Sequence, residues 1–117
     1  MIGTINRDEL KAKIDRGDKF HLVETLAPEK FETAHLPGAV NLPPDQVKQR
    51  ASQVLPDRDA EIVVYCGSSA CTASEDAARE LERQGYTKVR RFVGGKQDWI
   101  NAGLPTESES PAQAAAV

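Results

Sequence analysis

The sequence predicts an α/β domain of three layers, αβα, built on a mostly parallel central sheet. Three observations carry that expectation. Short apolar strands alternate with helical segments along the whole chain. Ile62-Val63-Val64-Tyr65 is continuously apolar, as a strand buried on both faces of a parallel sheet must be. Caps and turn glycines punctuate each step. The 117 residues, 39% apolar and 28% charged, suffice for one domain that buries a little over ~60% of its unfolded surface, with no room for a second.

The elements follow in order. Asn6 with Glu9 reads as a capping box opening a helix over about residues 7 to 16, with Leu10, Ala12 and Ile14 on it and Gly17 ending it. Phe20 to Glu24 is a short strand, and Pro28 suits the first turn of a small helix carrying Phe31. Ala39-Val40-Asn41-Leu42 is a brief strand, closed on both sides by Pro37-Gly38 and Pro43-Pro44. Asp45 caps a helix that runs to about Val54. After the central strand, Thr72 and Glu75 form a second capping box for a helix over about 73 to 84. Ala73, Ala77, Ala78 and Leu81 share one of its faces, and Gly85 stands at C′. Val89 to Val93 is a strand, and Gly94-Gly95 leads into a last helix with Trp99 and Ile100 that Gly103 and Pro105 stop. The domain is thus expected over 1–105, and Thr106 to Val117, without periodicity, as a disordered tail. In such a sheet, ligands bind outside the carboxyl ends of the strands.

Charge and hydropathy narrow the function classes. A net charge of -3 argues against a nucleic-acid partner, and Lys88 with Arg90 and Arg91 is the one local basic cluster, read as a solvated strand end. The longest apolar run, five residues from Ile62 to Cys66, is far below the ~20 that a membrane-spanning helix needs, so no membrane partner is expected. Met1 to Asn6 has neither a basic nor an apolar export region, which makes the cytoplasm the expected compartment. Two cysteines there are too few for a disulfide scaffold and read as reactive thiols. As metal ligands a single Cys-x4-Cys pair is too sparse, so neither a metal nor a cofactor is expected.

Cys66 directly follows the central strand, and Gly67-Ser68-Ser69-Ala70-Cys71 separates it from Thr72 at the next helix cap. A tight loop of small residues entering a helix turns several backbone N–H groups toward one point, and the helix N-terminus adds about half a positive charge. Such a cradle attracts an anion and lowers a thiol pKa, which makes Cys66 an activated nucleophile. The competing reading is a small, inert, buried residue ending a strand. Cys71 has two readings as well: a packed structural residue, or a resolving thiol that attacks an oxidised or persulfidated Cys66, provided the two Cα atoms lie within ~7 Å.

Leu22-Val23-Glu24, Phe31, His35-Leu36-Pro37-Gly38-Ala39, Tyr65-Cys66, Gly85-Tyr86, Val89, Gly94-Gly95 and Trp99, in that order and spacing, resemble a single-domain rhodanese, a sulfurtransferase family. The resemblance implies the rhodanese fold. It also implies that Cys66 carries a sulfane sulfur as a persulfide, taken from a small donor or a persulfidated protein and passed to a thiol or cyanide acceptor. The backbone N–H groups of Gly67, Ser68, Ser69, Ala70, Cys71 and Thr72 would cradle that persulfide. His35 matches a turn histidine of structural character, and His21, inside the first strand, is given no role.

The chain departs from the family at the rim. Members active on thiosulfate usually carry an arginine five positions after the cysteine, where this chain has Cys71. A guanidinium matches oxyanions in a way backbone N–H groups do not, so thiosulfate is expected to be a poor donor. Glu24 stands in for the family's acidic residue after the first strand, and Leu26 for an arginine two positions later, making the expected rim more apolar. The same missing arginine argues against a phosphatase or arsenate-reductase chemistry. Two functions follow: sulfur transfer through a Cys66 persulfide, or a non-catalytic sulfide- or redox-sensing module whose partner reads the state of Cys66 and Cys71.

Overall fold

The computed structural model describes residues 2–68 and 70–108. Its strands form one parallel sheet in the order β1(Gly3–Ile5), β5(Lys88–Phe92), β4(Glu61–Tyr65), β2(His21–Glu24), β3(Val40–Asn41). β4 is therefore the central strand, as its apolar run predicts. Its side chains divide between the two faces in the period-2 pattern of a strand. Ile62 and Val64 pack with Val47 and Ala51 of α3(Pro44–Val54), with Leu55 just after it, and with Ala77, Ala78 and Leu81 of α4(Ala73–Arg83). Val63 and Tyr65 pack on the other face with Leu10 of α1(Arg7–Arg16) and Trp99 of α5(Gly95–Asn101). Three layers result.

Local signals explain most boundaries. Asn6 accepts a hydrogen bond from the Glu9 N–H at 2.8 Å, and Gly17 ends α1 in the left-handed region at φ 71°. Pro28 opens α2(Pro28–Thr33) as expected, although that helix buries no residue. Four expectations are corrected. β1 had no strand signal of its own; it exists because Gly3, Thr4 and Ile5 add to β5 in register with Arg90, Arg91 and Phe92. Asp45 lies inside α3, whose cap position is Pro43, so the proline pair rather than a carboxylate starts the helix. Thr72 stands at the cap of α4 without a side-chain cap bond, since its backbone is already helical at φ -99°, ψ -3°, and Glu75 pairs with Arg79 instead.

The fourth correction concerns the tail. Residues 106–108 are ordered against the domain. Glu107 exchanges two backbone hydrogen bonds with His35, at 2.9 and 2.8 Å, and its carboxylate accepts from the Gly38 N–H at 3.0 Å. The remainder, 109–117, lies outside the described residues. His35 itself is buried, stacked on Phe31 with ring centroids 3.9 Å apart. No helix of the described residues is long and apolar enough to cross a membrane.

Candidate functional site

The carboxyl ends of β2, β4 and β5 converge on the loop that follows Cys66. Cys66 is buried, 1% exposed, at the end of β4, and Cys71 is half-buried just before α4. The two are joined by a disulfide with Cα atoms 6.2 Å apart. That meets the distance condition for a bridge and changes the expectation of two free thiols: in this state neither sulfur is a thiolate.

What holds the loop is α5. The N–H groups of Lys96 and Gln97, unpaired donors of a first helical turn, donate to the carbonyls of Cys66 and Gly67 at 2.8 and 2.7 Å. Such an approach demands glycine at position 95. A Cβ there would stand 2.7 Å from the Cys66 carbonyl oxygen and 2.9 Å from the Ser68 nitrogen, and φ is +72°. Gly95, read from sequence only as a helix entrance, is thus a positioning residue for the cysteine loop.

Of the six cradle residues, Gly67 and Ser68 are half-buried and Ala70 and Thr72 exposed, whereas Ser69 lies outside the described residues. The Cys71 N–H does not serve the cradle, because it donates to the Ser68 carbonyl at 3.1 Å and closes a turn.

The two rim residues separate. Leu26 is half-buried beside the loop, its methyl groups 3.8 Å from where a Gly67 Cβ would stand, and Asn41 donates to the Leu26 carbonyl at 2.8 Å. Glu24 is not on the rim: it is fully buried. Its carboxylate accepts from the Tyr65 hydroxyl at 2.7 Å and from the Lys96 ammonium at 3.0 Å, while Tyr65 accepts from the Leu36 N–H at 3.1 Å. Lys96 also donates to the Lys30 carbonyl at 3.0 Å. Among the described residues no buried side-chain polar atom lacks a partner. Burial, and then the Glu24 carboxylate, push the Tyr65 hydroxyl far above the usual tyrosine range. Lys96 was missed from sequence; the available signal was Glu24 itself, since a charge closing a buried strand needs an opposite one.

Beside the loop opens a cleft of about 440 Å³, lined by Leu26, Lys30, Gly67, Lys96, Gln97 and Ile100 among others. Among the described residues, Ile100 is one of two large apolar side chains left exposed, at 45%. The cleft is therefore apolar on two sides.

Residues 6–102 match the family described as rhodanese-like domain. The chain belongs to the rhodanese-like family. It is 34% identical over 107 residues to the HTH-type transcriptional regulator Rv0324 of Mycobacterium tuberculosis, a match covering 92% of this chain and 46% of that protein. The chain thus spans about half the length of that relative. It is 35% identical over 78 residues to the thiosulfate sulfurtransferase PspE of Escherichia coli, covering 67% of this chain and 72% of that one. Among solved structures, the rhodanese with anions from E. coli superposes with TM-score 0.64 at 30% identity, over 77% of this chain and 99% of that one. The relatives named as sulfurtransferases, PspE among them, support a sulfurtransferase-family role.

Proposed function

We propose that this rhodanese domain transfers a sulfane sulfur through a persulfide on Cys66. Once the disulfide is reduced, the Cys66 thiolate attacks the outer sulfur of a donor persulfide and expels the donor thiolate. An acceptor thiolate, or cyanide, then takes that sulfur from Cys66 and restores the thiolate. The observation that carries this reading is the placement of Cys66 at the end of the central strand, in a loop clamped by α5 and entering α4. Loop N–H groups and the α4 N-terminus favour the anionic forms of both thiol and persulfide. The apolar flank of the cleft, Leu26 and Ile100, and the cysteine at position 71 favour an organic or protein persulfide over thiosulfate as donor.

Incubation of the reduced protein with several sulfane donors, followed by intact mass measurement, tests this. One added sulfur atom on Cys71→Ala and none on Cys66→Ala is the expected result. Sulfur retained by Cys66→Ala and lost in Cys71→Ala would reverse the assignment.

A second reading is favoured by one observation, the Cys66–Cys71 bond, together with a relative named as a transcriptional regulator. In it the domain changes state on sulfide or oxidant and a partner reads the result. Turnover separates the two: an enzyme regenerates with acceptor, whereas a sensor stops after one event.

A further inference from the structure

The loop that holds Cys66 also holds a second sulfur within bonding distance, and α5 fixes the end of the loop that carries Cys66. Cys66 and Cys71 are five positions apart, their Cα atoms 6.2 Å from one another, inside the usual disulfide range. Both ends are pinned in place. The Cys66 carbonyl accepts from Lys96, and the Cys71 N–H closes a turn on Ser68. The sulfurs are unequally accessible: Cys66 is 1% exposed, while Cys71 is half-buried and its neighbours Ala70 and Thr72 are exposed.

We propose that Cys71 is a resolving thiol, which gives the domain a second activity: reductive release of sulfide from persulfide donors, with no external sulfur acceptor. This rests on the Cys66 persulfide reading. In the first step the Cys71 thiolate attacks Sγ of persulfidated Cys66. The bond between Sγ and the outer sulfur breaks, and the outer sulfur leaves with the electron pair and its proton as hydrosulfide. The sulfane sulfur is thereby reduced by two electrons, and the two cysteines are oxidised to the disulfide seen in the structure.

Regeneration takes two electrons from a dithiol reductant. Its thiolate attacks Sγ of Cys71, the accessible sulfur, and Cys66 departs as a thiolate into the loop beside the α4 N-terminus. The second thiol of the reductant then displaces Cys71 and carries away the disulfide. Buried Cys66 is thus shielded from direct attack by the reductant, and accessibility sets the direction of opening.

The test is a single turnover without reductant. Parent protein and Cys71→Ser are reduced, freed of reductant, and each given one equivalent of an alkyl hydropersulfide; sulfide and intact mass are then followed. The parent is expected to release close to one sulfide per chain and to end as the intramolecular disulfide. Cys71→Ser is expected to accumulate the persulfide, with sulfide release at least tenfold slower. If both proteins keep the added sulfur equally long, Cys71 does not resolve it, and the inference falls while the persulfide reading stands. If neither protein takes up sulfur, the persulfide reading itself falls, and the inference with it.

Discussion

Two lysine–glutamate pairs sit at the two ends of β4, and they differ most in how far water reaches the carboxylate, since the two lysine side chains are almost equally buried. At the amino end Lys13 meets Glu61 at 2.5 Å, with Arg90 3.9 Å from the same carboxylate and the Glu61 side chain 29% exposed. At the carboxyl end Lys96 meets Glu24 at 3.0 Å, with the Glu24 side chain fully buried and Tyr65 completing its shell. A solvated pair gains little, because water would serve each partner nearly as well. A buried pair gains little over an apolar replacement too, yet each partner is costly to remove singly, because the other is left charged in a poor solvent. The carboxyl end therefore tolerates fewer single changes. It is also the end that carries the cysteine loop, through the backbone of the same Lys96.

The comparison is sharpest when one partner of each pair is removed. Lys96→Met strands Glu24 and is expected to cost about 3–5 kcal/mol in urea unfolding. Adding Glu24→Gln to Lys96→Met is expected to recover much of that loss; no recovery in the double variant would mean that Lys96 acts through packing and not charge. Next in size is Gly95→Ala, expected to cost about 2–4 kcal/mol through backbone strain and overlap with the Cys66 carbonyl. Its particular signature is a changed alkylation rate of reduced Cys66, which a loss of stability alone would not produce below the unfolding transition.

Tyr65→Phe comes third, at about 1–3 kcal/mol near neutral pH, since the Leu36 N–H and Glu24 both lose a partner. The hydroxyl pKa is raised in the folded state, so the unfolded chain releases this proton first, at about pH 10. The stability linked to it is complete below that pH and drains as pH rises further, by about 1.4 kcal/mol per pH unit. Unfolding midpoints between pH 9 and 11 should therefore fall less steeply in the variant than in the parent, and equal slopes would remove Tyr65 from the alkaline response. Smallest is Lys13→Met, expected to cost about 1 kcal/mol or less and to be salt-sensitive in the parent. A loss as large as that of Lys96→Met would erase the contrast between the two ends.

The sequence by itself determined the alternation of strand and helix, the central place of Ile62-Val63-Val64-Tyr65, the caps at Asn6 and Gly17, and the loop that follows Cys66. Each is a local pattern, written in residues within one or two turns of each other. It also supplied the family, through short motifs in fixed order. Three-dimensional packing decided the rest. Gly3 to Ile5 is a strand only because β5 offers it an edge, and Glu107 is ordered only because His35 and Gly38 receive it. The capping box at Thr72 did not form because the incoming loop enters the helix already in helical geometry, leaving the threonine side chain no role at the cap. Glu24 moved from the expected rim into the interior because Lys96, 72 positions away, reaches its carboxylate. Whether Cys71 lay within reach of Cys66 was likewise beyond a five-residue spacing, which permits many separations; α5 and the Ser68 turn selected one of them.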